Sequence, residues 1–286
     1  MDWREINRVV AEELSRGIGH GDKIRVNCPV CLLRTGKRDR KTSLVGHTSS
    51  GRYHCFKCGV TGRFAEALQN APRVEDIKLF SQPEGYVPLW TMDAARSLSL
   101  QPALNYLRKR NVDRALLEQL QIGCCLTGRY AFSVIIPILL PQGDLGLWGG
   151  FVARTYVPSD TPYKYPPEMS RGGVFFNHEA VLEKTDKTLI VTEGVFDAIT
   201  YLPDSCAVLG KLSYTQINLL ALAQRPVCLV LDGDAWEQAA SAALWLRMQH
   251  QEAGFVKLPP RVDPDEVPVR ELQQLADQSI HQPIEL

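Results

Sequence analysis

The segment Leu189-Ile190-Val191-Thr192-Glu193-Gly194-Val195-Phe196-Asp197-Ala198-Ile199 decides the fold class of this 286-residue chain. Its first four residues form an apolar, β-branched run of the kind found in buried strands, and a helical pattern starts after Gly194. A short strand that leads directly into a helix is the unit from which parallel α/β sheets are built. The sequence therefore predicts an α/β domain, with the acid Glu193 at the junction.

The same alternation of short apolar runs and helical patterns continues from residue 188 to residue 258. We predict strands at 188–192, 206–209, 227–231 and 255–258, and helices near 195–202, 214–223 and 235–250. Acids follow three of these strands: Glu193, then Asp232 and Asp234, then Asp263 and Asp265. Because the carboxyl ends of parallel strands lie at one edge of a sheet, we expect these acids to converge.

Converging carboxylates repel one another, by about 4 kcal/mol per pair at roughly 4 Å and an effective dielectric constant of about 20. Mg²⁺ or Mn²⁺ relieves that repulsion, since hard cations prefer carboxylate oxygens. A single such acid is most simply interpreted as a solvated loop residue, but three strand ends together predict a cation site for phosphoryl transfer. No G-x-x-x-x-G-K-[ST] motif occurs, so the sequence does not encode a P-loop.

Upstream, two C-x-x-C pairs, Cys28/Cys31 and Cys55/Cys58, predict one closed structural zinc site. Four ordinary core thiols would not explain the paired spacing. His47 or His54 could replace one thiol, although we expect neither to do so. A module this small depends on the metal for stability, on the order of 10 kcal/mol in small zinc fingers.

The net charge of zero conceals an asymmetry, because residues 1–120 hold 20 Lys and Arg against 13 Asp and Glu. Residues 23–63 hold ten of these basic residues and one acid, Asp39, and Tyr53 and Phe56 lie among them. Basic residues beside aromatic ones suit a single strand of nucleic acid better than a merely solvated loop. The residues expected to contact nucleic acid here are Arg38, Arg40, Lys41, Arg52 and Lys57.

The domain boundaries follow from these patterns. We predict a zinc-binding domain at 1–71, a linker at 72–88, a first core subdomain at 89–185, the α/β domain at 186–268, and a C-terminal helix and tail at 269–286. Further helices are expected at 2–16, 64–69, 91–99, 101–110 and 113–120, and further strands at 133–138 and 145–154. The charged start and the lack of a membrane-length apolar run predict a cytoplasmic protein without a membrane partner.

Together these motifs resemble the DnaG-type primases of bacteria and phages. The zinc pairs and the E-G-x-x-D-A-I, D-G-D and D-P-D motifs carry the resemblance, which covers roughly residues 24–268. Weaker similarities occur in the family's order, at 105–110, 136–138, 149–154 and 164–168. The resemblance implies a mixed α/β (α+β overall) fold: a small zinc ribbon, followed by a two-part RNA polymerase core with a TOPRIM parallel sheet.

The resemblance also implies roles for individual residues. Glu193 would ligate metal or accept the proton of the attacking 3′-hydroxyl, and Gly194 and Asp197 would support the site. Asp232, Asp234, Asp263 and Asp265 would hold magnesium, and Arg154 and Lys164 would face phosphates of template or nucleotide. The zinc module would recognise the start site on the template.

The activity implied is synthesis of short RNA primers from ribonucleoside triphosphates on single-stranded DNA, with a replicative helicase as a possible partner in trans. The chain departs from the family pattern at Cys31, where many members have histidine. It also has Lys211 where a threonine is common, and it lacks an asparagine after Tyr165.

Two other functions fit parts of the pattern. A recombination mediator of the RecR type also joins four cysteines to a TOPRIM domain, without catalysis, and a TOPRIM nuclease or topoisomerase shares the acids. The full set of acids and the upstream position of the zinc pairs favour the primase. A topoisomerase would need a reactive tyrosine and a larger cleavage gate.

Overall fold

The computed structural model describes residues 10, 13–14, 19–20, 23–47, 52–63, 78–140, 147–259 and 262–284. The chain divides into an N-terminal unit, Met1–Asp76, and a C-terminal unit, Ile77–Leu286, which are described separately below. Of the helix predicted at 2–16, residues 10, 13 and 14 are described and are helical. The helix predicted at 64–69 lies outside the described residues, and the predicted domain boundaries stay predictions.

The N-terminal unit contains a five-stranded antiparallel sheet in the order β1-β2-β3-β4-β5. Its elements are β1 Gly19–His20, β2 Lys23–Val26, α1 Cys31–Thr35, β3 Leu44–His47, β4 Arg52–Cys55 and β5 Thr61–Arg63. Val10, Leu14 and Leu44 form its small core together with the cysteines. Two of the buried residues, Val10 and Leu14, belong to the helix predicted at 2–16.

The first half of the C-terminal unit is an antiparallel sheet in the order β10-β9-β8-β7-β6, with three short helices between β6 and β7. The strands are β6 Tyr86–Pro88, β7 Gly123–Cys125, β8 Ser133–Leu140, β9 Leu147–Thr155 and β10 Tyr163–Lys164, and the helices are α2 Met92–Arg96, α3 Gln101–Arg108 and α4 Arg114–Gln119. The sequence predicts that Tyr86–Pro88 belong to the linker, but these residues form a strand because they pair with β7. A strand of three residues is too short to show an alternating pattern in the sequence.

The second half is a parallel sheet in the order β12-β11-β13-β14, as the alternating pattern predicts. Its elements are α5 His178–Leu182, β11 Leu189–Thr192, α6 Val195–Thr200, β12 Ser205–Ala207, α7 Tyr214–Leu220, β13 Val227–Leu229, α8 Trp236–Met248, β14 Ala253–Phe255 and α9 Val269–His281. The fourth strand begins two residues earlier than predicted because Val227, the first residue of β13, pairs with Ala253. The predicted C-terminal helix spans 13 residues, and its Leu272 and Ala276 pack against the sheet.

The two halves share one hydrophobic core, in which Val134 and Val152 of the antiparallel sheet lie with Phe196 and Ile199 of α6. This packing places β9, which carries Arg154, beside the helix that follows Glu193. The thiols at positions 124, 125, 206 and 228 are all buried. Within the described part of the chain, the structure contains no helix long and apolar enough to cross a membrane.

Candidate active site and metal centre

The four cysteines of the N-terminal unit come together at one point, with all four Sγ atoms within 4.8 Å of one another. Cys28 and Cys58 lie 3.7 Å apart, and Cys31 and Cys55 lie 3.5 Å apart. Zn–S bonds of about 2.3 Å in a tetrahedral site place sulfurs roughly 3.8 Å apart, which fits this arrangement. The cluster is therefore suited to a structural zinc ion, as predicted.

Neither candidate histidine belongs to this cluster of described residues. The ring of His54 instead packs edge-on against Phe56, with 4.7 Å between ring centroids. Burial, together with hydrogen bonds that the Cys31 thiol donates to the sulfurs of Cys55 and Cys58, raises the pKa of Cys31 to about 12. Metal binding must displace these protons, since thiolates are the zinc ligands.

Asp39, the single acid of the basic segment, holds the first cysteine knuckle in place. Its carboxylate accepts hydrogen bonds from the backbone N–H groups of Cys28 at 2.9 Å, Lys41 at 3.0 Å and Ser43 at 2.7 Å. Although burial alone would raise the pKa of Asp39, these hydrogen bonds lower it to about 2. The acid therefore joins the loop at Cys28 to the start of β3.

The predicted nucleic-acid residues of this unit differ in exposure. Arg38, Arg40 and Lys41 are exposed, and Phe56 is 68% exposed, whereas Arg52 is 7% exposed. The Nζ atom of Lys57 donates to the carbonyl oxygens of residues 37 and 38, so it also braces the loop. Tyr53 is buried in the core, which leaves Phe56 as the accessible aromatic side chain of the pair.

In the C-terminal unit, the ends of β11, β13 and β14 open into one pocket of about 530 Å³. Five of the predicted acids line it, one or more from each strand end: Glu193, Asp197, Asp232, Asp263 and Asp265. Gly194 and Arg154, which are also site residues predicted from the sequence, line the pocket too. The remaining lining residues are Arg110, Val152, Tyr163, Tyr165, Arg171, Val195, Phe196, Leu209 and Gly210.

Gly194 is required where β11 turns into α6. Its N–H donates to the Oδ2 atom of Asp197 at 3.1 Å, and its carbonyl accepts from the Thr192 hydroxyl at 3.0 Å. A Cβ atom at this position would lie 2.2 Å from Oδ2 of Asp197. Glycine therefore lets the Asp197 carboxylate cap the helix and remain at the pocket wall.

Burial and the neighbouring carboxylates raise the pKa values of two acids in the pocket. Burial, with repulsion from Asp232 and Asp234, raises the pKa of Glu193 to about 7. Burial also raises the pKa of Asp197 to about 7, reinforced by Asp265, Asp232 and Asp263. In the absence of a cation, the cluster therefore keeps protons that isolated carboxylates would lose.

Three arginines face these acids, and each lies over an aromatic ring. The guanidinium carbon of Arg110 is 4.4 Å from the Phe196 centroid, that of Arg154 is 4.4 Å from Tyr163, and that of Arg171 is 4.6 Å from Tyr165. Arg154 also donates to the hydroxyl of Tyr106 at 3.0 Å. Stacking fixes the planar guanidinium groups, which suit phosphate oxygens.

Sequence reasoning missed Arg110 and Arg171 as site residues. Arg110 falls at the end of a segment noted only for its similarity to the family, so that similarity was the available signal. Arg171 lies in a short 3₁₀ turn, Arg171–Gly173, without a periodic pattern.

Two predicted residues lie apart from the pocket wall. Asp234 is exposed and acts on Glu193 and Asp232 through its charge. Lys164 follows Tyr163 on the two-residue strand β10, so successive side chains point to opposite faces, and only Tyr163 lines the pocket.

The acids are more widely spaced than the thiols. Within the described residues, the four cysteines are the one group of three or more such side chains close enough together to share an ion. Mg²⁺ commonly uses one or two carboxylates together with waters and substrate phosphates, so a looser set of acids still fits it.

No family model matches the chain. Among curated proteins, it is similar to a DNA primase of Enterococcus faecalis, with 26% identity over an alignment 298 residues long. The alignment covers 75% of this chain and 48% of that protein. The chain spans about half the length of the curated relatives it matches.

Among solved structures, it is similar to the zinc-binding and RNA polymerase domains of Aquifex aeolicus primase, with a TM-score of 0.53 and 23% identity. That match covers 96% of this chain and 85% of the other. A DnaG primase catalytic domain bound to single-stranded DNA matches with a TM-score of 0.54 and 21% identity, covering 68% and 75% of the two chains. The chain therefore has homologues named DNA primase, and it has the fold of the DnaG zinc-binding and catalytic core domains.

Proposed function

We propose that this chain is a primase that joins ribonucleoside triphosphates into short RNA primers on single-stranded DNA during replication. One observation carries the proposal: acids from three strand ends and three stacked arginines line the same pocket. Acids suit divalent cations and arginines suit phosphates, so the pocket provides for both halves of a nucleotidyl transfer. The homologues named DNA primase support this choice.

We assign the cation site to Asp232, Asp234, Asp263 and Asp265, with Glu193 at its edge. Carboxylate oxygens are the ligands that Mg²⁺ and Mn²⁺ prefer. Once bound, magnesium supplies positive charge that offsets the charge of the nucleotide phosphates. The acids Asp234 and Asp263 are exposed, so they can meet an ion that arrives with the nucleotide.

Glu193 is the side chain best placed to accept the proton of the attacking 3′-hydroxyl. It is half-buried, and its pKa of about 7 lies near the working pH, where a general base is most effective. The arginines Arg110, Arg154 and Arg171 hold phosphates of nucleotide or template against this group. Asp197 supports the site from the first turn of α6, and Lys164 contacts the strand outside the pocket.

The N-terminal unit would bind the single-stranded template. Its exposed Arg38, Arg40 and Lys41 neutralise phosphates, and Phe56 offers a face on which a base can stack. Arg52 is buried and is therefore left out of this contact set. Lys57 is exposed, so it contributes its positive charge although its Nζ atom also braces the loop. A related DnaG catalytic domain was solved bound to single-stranded DNA, which supports the same partner for the C-terminal unit.

Three further assignments remain predictions, namely a helicase acting in trans, the cytoplasmic location and start-site recognition by the zinc module. The alternatives of a non-catalytic RecR-type mediator and of a TOPRIM nuclease are not favoured, because the named relatives are primases.

The test is primer synthesis by the purified full chain with single-stranded DNA, Mg²⁺ and labelled ribonucleotides. Wild type should yield short RNA, and Glu193→Gln should yield none while retaining its circular dichroism spectrum. Glu179→Gln, which changes an exposed acid of α5, serves as the control and should behave as wild type. Undiminished product from Glu193→Gln would remove the mechanism, and DNA binding without any product would favour the mediator.

A further inference from the structure

Tyr201 is the first residue after α6, four positions beyond Asp197. Its side chain is 3% exposed and packs with Ile190 of β11 and Leu272 of α9. Neither charge nor spacing in the sequence distinguishes this residue from an ordinary core aromatic.

The hydroxyl of Tyr201 reaches the turn that carries two of the acids. It donates to the carbonyl oxygens of Pro264 and of Val267, the latter at 2.8 Å. These two residues bracket Asp265, and Pro264 directly follows Asp263. Since a phenol has one proton, the two carbonyls share it. Among the described residues, no other side chain hydrogen-bonds to these two oxygens.

The turn is short and its acids face other acids. It is a single 3₁₀ turn, Pro264–Glu266, closed by backbone bonds from residue 266 to residue 263 and from residue 267 to residue 264. Asp263 and Asp265 line the pocket opposite Asp232, and like charges push such a turn outward. Its anchor is therefore expected to set how close the two acids come to the rest of the cluster.

We infer that Tyr201 is a positioning residue, whose hydroxyl holds the 263–267 turn so that Asp263 or Asp265 reaches the same divalent cation as Asp232. The inference rests on the proposed function, because it concerns the cation site of the same pocket. Tyr201 does not touch the ion or the substrate. It acts by joining the helix that contains Asp197 to the turn that contains Asp265.

The test is Mn²⁺ binding to the full chain without nucleotide, measured by electron paramagnetic resonance of free Mn²⁺. Tyr201→Phe removes only the hydroxyl and should weaken binding about tenfold, as loss of a residue that orients metal ligands typically does. The Mg²⁺ concentration for half-maximal primer synthesis should rise by a similar factor, and the rate at saturating Mg²⁺ should recover.

Tyr86→Phe is the matched control. The Tyr86 hydroxyl donates to the carbonyl oxygen of Gln121 at 2.7 Å, which is the same kind of bond in the same unit, away from the pocket. Its loss should lower the melting temperature and leave Mn²⁺ affinity unchanged. A purely structural role for Tyr201 would make the two variants alike.

The outcomes separate this inference from the proposed function. If wild type binds Mn²⁺ at a site that Asp263→Asn destroys, and Tyr201→Phe binds equally well, the inference alone is rejected. If wild type shows no such site, both are rejected.

Hydrogen exchange on the wild type decides the matter even if Tyr201→Phe folds poorly. The amides of Glu266 and Val267 should be protected without divalent cations, because the hydroxyl already holds the turn. Protection that arises only after Mn²⁺ is added would overturn the inference.

Discussion

The Nη1 atom of Arg110 lies 4.0 Å from Oδ2 of Asp265. Arg110 follows the C-terminal end of α3, and Asp265 lies in the turn after β14. The antiparallel half of the core thereby contributes a cation directly to the acid cluster of the parallel half. Burial raises the pKa of Asp265, and Arg110 opposes that rise. The two halves are thus joined electrostatically at the pocket as well as through the shared hydrophobic core.

Replacing Arg110 should impair primer synthesis without unfolding the protein. We expect Arg110→Met to lower the rate roughly 10²-fold, the scale found when one charge-stabilising donor is removed from an active site. Arg110→Lys should recover only part of it, because a lysine cannot lie flat on Phe196 while facing Asp265. Steady-state primer synthesis measures this, with Arg108→Met on the exposed face of α3 as the control. Equal activities of the two Met variants would remove Arg110 from the site.

The raised pKa values of Glu193 and Asp197 predict how stability depends on pH in the absence of divalent cations. Below about pH 3 both carboxyls are protonated in the folded and the unfolded chain. As the pH rises towards 7, the unfolded chain releases these protons first, so the free energy of unfolding should fall through this window. Added Mg²⁺ should reverse the fall at pH 8 and have little effect at pH 5.

Urea unfolding followed by tryptophan fluorescence checks this, since four of the five tryptophans lie in the C-terminal unit. The double variant Glu193→Gln/Asp197→Asn should show a flatter profile than wild type. A wild-type profile that rises between pH 5 and 7 without Mg²⁺, or one that the double variant reproduces, would contradict the pKa assignment.

Loss of one zinc ligand should abolish the metal site. Cys55→Ser should reduce bound zinc from one ion per chain to none, because a closed site loses its geometry with any of its thiolates. Initiation on natural template should fail with it. Atomic absorption gives the zinc content, and Cys125→Ala, a core thiol in β7, should keep its zinc. A Cys55→Ser protein that retains one zinc would point to His47 or His54 as a substitute ligand.

Arg225 should contribute to folding rather than to catalysis. Its buried guanidinium donates to Oδ1 of Asp204 at 2.6 Å and to the carbonyl oxygen of Lys187 at 3.0 Å, which ties strand starts together at the edge opposite the pocket. Arg225→Met leaves the largely buried carboxylate of Asp204 without its buried cationic partner. This substitution should lower the free energy of unfolding by about 3–5 kcal/mol. Lys187→Met, which removes the exposed partner of the same carboxylate, should cost less than about 1 kcal/mol. Similar losses in urea unfolding for the two variants would contradict this account.

The elements that were predictable from sequence are those with a local signature. The C-x-x-C pairs fix the cysteine cluster by spacing, and apolar runs that end in acids mark the strands before Glu193 and Asp232. Parallel strands run in the same direction, so their carboxyl ends lie at one edge of the sheet. Convergence of these acids could therefore be predicted without knowing the strand order.

The elements that were missed depend on pairing or packing over long sequence distances. The strand Tyr86–Pro88 exists because of β7, and Arg171 enters the pocket only because Tyr165 and Leu209 lie beside it. Tyr201 likewise acquires its role from a turn more than sixty residues away. Exposed Phe56 and buried Tyr53 could not be told apart from composition, since burial depends on which face of the ribbon each occupies.

The shared cation site of the three strand ends is tested most directly by anomalous diffraction from crystals of the full chain soaked with Mn²⁺. We expect a manganese peak in the pocket within ligand distance of Asp232 and of at least one acid of the 263–265 turn, with Glu193 beside it. Manganese bound elsewhere, or carboxylates of Glu193, Asp232 and Asp263 turned away from one another, would contradict the polymerase assignment.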